Sequence, residues 1–256
     1  MSWRRIWMLC GLFIGATAWA QANFPNKPVN IIVPFPPGGA ADQPSRLFGQ
    51  AMNNVWKSGT VVVTRPGAGG AIGATAVANA APDGHTLLAT NPSLVILPEA
   101  DRLFGRNPAF ERSQFVPLGL LVADPLVLVV KADAPWKNYN EFVADARANP
   151  DKITYGSSGA YSASHLPIEM LAHAANMKLR HISYSGGGPA ILAVLGGHIG
   201  VTASSPSAVM AHIKSGALRP LVTTGVKRIA ALPDVPSAVE LGFKDAEDRK
   251  STRLNS

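Results

Sequence analysis

The chain has 256 residues, 47% hydrophobic and 15% charged, with a formal net charge of +7. That balance excludes a fibre or a disordered tract and fits globular packing. At this length roughly 70% or more of the unfolded surface can be buried, so no disulfide or metal staple is required.

The first twenty residues stand apart. Arg4 and Arg5 precede the apolar run 6–17 and the small-residue site Ala18-Trp19-Ala20, the pattern of a cleavable secretory signal peptide, and the expected location is therefore the periplasm. No later segment reaches the ~20 apolar residues of a membrane crossing. The single cysteine, Cys10, falls inside the signal, so the mature chain lacks a disulfide framework, a thiolate metal site and a cysteine nucleophile. Lysines and arginines are scattered instead of forming blocks, which argues against nucleic acid. The mildly positive charge left after cleavage favours encounter with anions.

From Pro28 the elements alternate. The apolar run 29–33 predicts a strand, and a Pro/Gly loop leads into a helix with Leu47, Phe48, Ala51, Met52 and Val55 on one face. A strand over 60–64, a Gly-rich loop, a helix over 71–81 and a strand over 86–89 follow, and such βα repetition implies a parallel sheet. Residues 91–114 read as irregular. The most apolar strand is expected over 118–130, with Asp124-Pro125 marking a crossing, because proline cannot donate to a ladder. A second series is predicted as helix 139–148, strand 152–155, helix 163–175, strand 180–184, helix 189–195, strand 198–203, helix 206–214 and strand 218–224. The expected layout is a signal peptide over 1–20, a first lobe over 21–123, a second over 124–224, a return to the first over 225–247 and a non-native tail over 248–256. Two α/β lobes with a hinged cleft between them are a common place for a small ligand.

Four strand-to-helix loops can carry chemistry. In the first, 34–44, Gly38 and Gly39 let backbone approach a ligand, helix-start N–H groups suit an anion, and Asp42 is either an N-cap or an acceptor for a ligand hydroxyl, amine or water. The second, 65–73, lacks the third glycine of a dinucleotide fingerprint because Ile72 stands there, and no phosphate-binding Gly-x-x-x-x-Gly-Lys-Ser/Thr occurs. It is a nest of donors or a set of packing glycines. The third, 155–165, holds four serines and His165; Gly156-Ser157-Ser158-Gly159 is one residue short of a nucleophile elbow, so ligand recognition or helix capping outranks a hydrolase built on Ser158 and His165. The fourth, 185–189, starts a helix with Pro189 and is a donor loop or a turn. No histidine pair has metal-ligand spacing, and no metal or cofactor is expected.

Taken in order, Phe24-Pro25-Asn26-Lys27-Pro28, Pro34-Phe35-Pro36-Pro37-Gly38-Gly39 with Asp42, Arg65-Pro66-Gly67-Ala68-Gly69-Gly70, Ala81-Pro82-Asp83-Gly84, Tyr155-Gly156-Ser157-Ser158-Gly159, Gly187-Gly188-Pro189-Ala190 and Leu232-Pro233-Asp234-Val235-Pro236 resemble the Bug/TctC family of periplasmic solute-binding receptors of tripartite tricarboxylate transporters. The resemblance implies a two-lobed flytrap, each lobe a mostly parallel sheet flanked by helices. It also implies that the family's last sixty or so residues, which finish the first lobe, are missing here. A non-enzymatic monomer that passes a small carboxylate to membrane permease subunits is the implied role. The implied ligand contacts are Phe35, Gly38, Gly39, Ala40 and Asp42 from the first lobe, with Gly69, Gly70, Asn91 and Ser93 at its side. From the second lobe come Ser157, Ser158, Ser162, His165 and Ser204. Departures from the family pattern are the bulky Tyr161 after Ala160, Ser183-Tyr184-Ser185 in place of a segment that often carries lysine, and Gly200 where an acid is frequent.

Overall fold

The computed structural model describes residues 24–243; the expected signal peptide and the expected tail lie outside the described residues. Strand β1 (Val29–Val33) pairs in parallel with β2 (Thr60–Thr64) and β3 (Thr86–Leu88), giving the order β2-β1-β3. Helix α1 (Asp42–Asn53) packs on this sheet. Its Gly49 faces the strands so closely that a Cβ there would lie 3.1 Å from Val62. Helices α2 (Ala71–Ala78) and α3 (Ser93–Leu103) complete the first unit.

The second unit contains β4 (Val127–Lys131), α4 (Tyr139–Ala148), β5 (Thr154–Ser157), α5 (His165–Ala174), β6 (Arg180–Ser183), α6 (Gly187–Leu195), β7 (Val201–Ser204), α7 (Pro206–Lys214) and β8 (Leu218–Thr223). The sheet order is β6-β5-β7-β4-β8, with β5 parallel to β6 and β7 and β4 antiparallel to β7 and β8. Successive strand residues point to opposite faces, and β4 shows the result. Leu128 and Val130 join Tyr139, Phe142, Tyr155, Ile168 and Leu171 on one face, while Val127 and Val129 join Ile191, Val194, Val209 and Leu218 on the other. A strand covered on both faces reads as a continuous apolar run, which is why Val-Leu-Val-Val was visible in the sequence. Asn138 caps α4 by accepting the Glu141 N–H (2.9 Å), so that helix begins where its sequence predicts.

Three expectations change. Residues 91–114 are not irregular throughout, since α3 occupies Ser93–Leu103 with Pro98 inside it. Proline costs a helix one hydrogen bond and argues against one in sequence, but Asn91 accepts the Ser93 N–H (3.0 Å) and starts the turn, and Pro98 is buried. The expected strand over 118–130 shrinks to β4. Pro117 and Pro125 remove donors on either side, and Val116, Leu118 and Leu120 stay exposed, with no strand partner among the described residues. The expected return to the first lobe after 224 does not occur within the described residues. Leu232 and Val235 join the second unit's core, Ala238 and Phe243 pack on its other face, and Thr223 bridges to Ser237.

Phe142 is fully buried and meets Trp136 edge-on at 5.3 Å between ring centroids. Phe142→Ala is therefore expected to lower unfolding free energy by about 3–5 kcal/mol, read from the midpoint of urea denaturation.

Candidate functional site

The loops after β1 and β2 in the first unit meet the loops after β5 and β6 in the second. A Cβ added to Gly69 would lie 3.1 Å from the Ala160 carbonyl, and one on Gly159 would lie 2.8 Å from Gly69 Cα. Tyr161 packs against Phe104 at 5.7 Å between centroids. Pro36 abuts Gly186, and the Pro37 carbonyl lies 3.9 Å from a Cβ on Gly188. Within the first unit, Gly70 sits over Phe35 (3.2 Å from a Cβ to Cζ) and the Ser93 Oγ (3.3 Å). Across α6, Gly187 faces the Ser204 Oγ at 3.5 Å. Of the expected residues, Gly69 lies at the seam, Gly70, Phe35 and Ser93 cluster together in the first unit, and Ser204 lies behind Gly187 in the second. Asn91 serves the start of α3, with its Oδ1 committed to the Ser93 N–H.

Asp42 is not the N-cap; Ala41 holds that place, and Asp42 is the first helical residue, only 2% exposed. Its Oδ2 accepts from the Gly38 N–H (2.8 Å) and the Arg46 Nε–H (2.9 Å). Gly38 turns back at φ +79°, a conformation that glycine adopts without penalty. Oδ1 is buried with no protein partner. A buried carboxylate oxygen without a donor is costly, so this atom is an acceptor open to a donor from outside the protein. Gly39 is buried beside it, whereas Gly38 and Ala40 are exposed.

On the second unit the serines form a buried network. The Ser164 Oγ accepts the Ser158 N–H and shares a hydrogen bond with the Ser158 Oγ (both 2.9 Å), and the Ser162 Oγ lies 3.4 Å away. Ser164 is the residue before α5, but its side chain does not cap that helix. His165 accepts the Tyr161 N–H on Nδ1 (3.1 Å), while the hydroxyl of Ser158 is engaged by Ser164, so the Ser158–His165 pair of the hydrolase reading is not formed. The hydroxyl that does meet a histidine is the Ser157 Oγ, 2.7 Å from the His181 Nε2. Ser157 gives its single proton to the Gly159 carbonyl (2.8 Å) and accepts the Gly159 N–H (3.2 Å). The His181 Nε2 must then be the donor, which leaves it unable to act as a base toward Ser157.

His181, Tyr155, Glu169 and Ser164 were not singled out in the sequence. The available signal was register: β5 and β6 pair Tyr155 with His181, so His181 shares a face with Tyr155 and, two residues on, Ser157. His165 and His181 have ring centroids 4.2 Å apart, Tyr155 stacks on both, and its hydroxyl donates to Glu169. Burial holds both imidazoles below the ordinary histidine value; for His181 the charge of His165 adds to the lowering, and Glu169 opposes it in both. Burial, followed by the bond to Glu169, pushes the Tyr155 phenol up. A separate depression at Trp136, Asp145 and Thr154 shares no residue with these loops, and its Asp145 is already held by Trp136 and Asn149. Among the described residues no group of His, Cys, Asp and Glu could hold a metal ion, and no helix is long and apolar enough to cross a membrane.

Two α/β units meeting through strand-to-helix loops define a two-lobed periplasmic-binding-protein architecture. Residues 46–253 match the family described as the tripartite tricarboxylate transporter family receptor, TctC, and the chain belongs to that family. It is 36% identical to a protein encoded between tcbD and tcbE in Pseudomonas sp. strain P51, over 85% of this chain and 64% of that protein. To the BugT protein of Bordetella pertussis it is 32% identical, over 96% of this chain and 76% of the relative. The chain thus spans roughly two thirds to three quarters of these relatives' lengths. Among solved structures it resembles the periplasmic binding protein BugD (33% identity, TM-score 0.81, 88% of this chain and 74% of that one). It also resembles MatC from Rhodopseudomonas palustris with bound malate (27%, TM-score 0.79, 88% and 76%) and Rpa4515 from R. palustris with adipate (26%, TM-score 0.81, 88% and 74%).

The histidine pair carries a pH prediction. Both folded values lie below the ordinary ~6.5, so as pH falls the unfolded chain takes up protons first and the native state loses ground. Stability is expected to be full above about pH 6.5 and to decline below it until the lower folded values are passed. Melting temperature followed from pH 7.5 to 5 should show this fall, and a His165→Gln/His181→Gln variant should show a shallower one.

Proposed function

We propose that the protein is a periplasmic solute-binding receptor that captures a small carboxylate between its two lobes and delivers it to membrane permease subunits of a tripartite tricarboxylate transporter. The observation that carries this reading is that the loops after β1 and β2 touch the loops after β5 and β6; the loop after β1 ends in the buried, unpartnered Asp42 Oδ1, and the loop after β5 holds a buried serine network. The loops that meet lead into α1, α2, α5 and α6, and helix starts offer N–H groups to an anion, although those of Asp42, Gln43, His165 and Leu166 are already taken by the Gly39 and Ser162 carbonyls. A carboxylate can be desolvated there when oriented donors replace its water. Asp42 repels a carboxylate, so its task is to accept from a ligand hydroxyl, amine or bridging water, fixing the orientation of the guest. The bound malate and adipate of the two R. palustris relatives support a di-acid as the ligand class.

The receptor reading is preferred to catalysis because the Ser158 hydroxyl engages Ser164, and the Ser157 hydroxyl has already given its proton to Gly159.

Malate and adipate are the probes. Saturating ligand at 100 times Kd raises unfolding free energy by about 2.7 kcal/mol, and a rise in melting temperature of several degrees with no turnover of either acid is the expected result. Asp42→Asn keeps the side chain's shape but turns an acceptor into a donor; affinity by calorimetry should fall tenfold or more, about 1.4 kcal/mol. Unchanged affinity in that variant would remove Asp42 from the site. Ester hydrolysis lost in Ser158→Ala would contradict the receptor role.

A further inference from the structure

We infer that Gly186 sets how closely the two lobes can shut: its missing side chain is the space that Pro36 of the opposite lobe fills when the receptor closes. The inference rests on the receptor reading for its purpose, but its geometry is independent of the ligand's identity.

Gly186 immediately precedes α6 and is buried, with φ 176° and ψ 173°. That is extended backbone, which any residue adopts. Glycine is therefore not demanded by conformation. A Cβ built on Gly186 would lie 2.7 Å from Pro36 Cγ and nearer still to Cδ, closer than the 3.0 Å that real Cβ atoms respect. The colliding atoms belong to a proline ring, which is tied to its own backbone and cannot swing aside as a flexible side chain would. Pro36 stands in the loop after β1 of the first lobe, whereas Gly186 opens a helix of the second. The three nearest atoms within 4 Å are all Pro36 atoms, so within its own lobe the added methyl has no such collision.

The other tightly packed glycines behave differently. Cβ atoms on Gly73 and Gly156 would strike Pro34 and Ile199, residues of their own lobes, so any cost of alanine there falls within one lobe whether the receptor is open or closed. Gly159 also touches the opposite lobe, against Gly69, but its φ of +129° makes alanine strained in any arrangement. At Gly186 the cost of a methyl group falls on the closed arrangement and spares the open one. A population shift follows: whatever closure contributes to ligand affinity is lost in proportion to the closed state's destabilisation.

The test uses Gly186→Ala, Pro36→Ala and the double variant, with malate as the probe. Hydrogen–deuterium exchange of segments 34–40 and 184–190 reads the seam, calorimetry reads affinity, and ligand-free melting reads folding. Gly186→Ala is expected to melt within a few degrees of the unaltered protein, to exchange faster in both segments and to bind malate at least tenfold more weakly. Pro36→Ala/Gly186→Ala, which removes Cγ and Cδ, should recover slow exchange and affinity. Exchange equal to that of the unaltered protein in Gly186→Ala overturns the inference, as does a defect that Pro36→Ala fails to rescue, including a folding defect. If the unaltered protein binds neither malate nor adipate while Gly186→Ala still loosens both segments, the closure role stands and the carboxylate reading falls. If malate binds both proteins equally, the carboxylate reading stands and the closure role falls.

Discussion

Backbone-to-backbone approach between the lobes is the constraint on which this structure depends. At Gly69 against Gly159 and Ala160, and at Gly186 against Pro36, the two α/β units come closer than a single methyl group would allow. Side chains at those positions would hold the loops apart and admit water between them. Desolvation gives oriented amides and hydroxyls their strength toward an anion, since the same groups compete poorly when solvent is present. The glycines are thus connected to recognition through packing, not through flexibility.

Around that seam each lobe contributes a different kind of group. The first supplies one buried carboxylate held by Gly38 and Arg46, with one oxygen left over. The second supplies hydroxyls whose positions are fixed by one another and by the stacked layer of Tyr155, His165 and His181 beneath them. Arg46 is half exposed beside Asp42 and offsets part of its charge, which limits the repulsion that a negatively charged guest would meet. The histidines act below the site as donors and acceptors that set the Gly156–Ser162 turn, a positioning task distinct from base catalysis.

Much of the fold was legible in the sequence because its strands are β-branched runs closed by Pro/Gly loops, as in Val29–Val33 and Thr60–Thr64. Helix Tyr139–Ala148 matches its expected bounds because Asn138 supplies a local cap. The failures have equally local causes. Pro98 masked a helix that tertiary packing tolerates, and the apolar letters from residue 118 suggested a strand, although flanking prolines and the lack of a partner keep 118–122 out of any described sheet. Within the site, Asp42 and the serine loop stood out as residue types at a strand-to-helix turn. His181 did not, because its role comes from pairing with Tyr155 across strands twenty-six residues apart, and Gly186 did not, because its meaning lies in a proline of the other lobe.

The decisive experiment is a crystal structure of the protein grown with malate. Ligand density between the Gly38–Asp42 turn and the Ser157–Ser162 turn, with a malate oxygen or an ordered water donating to the Asp42 Oδ1, is the predicted result. Density confined to the depression at Trp136 and Asp145, or lobes parted at Pro36 and Gly186 around a fully bound ligand, would contradict it.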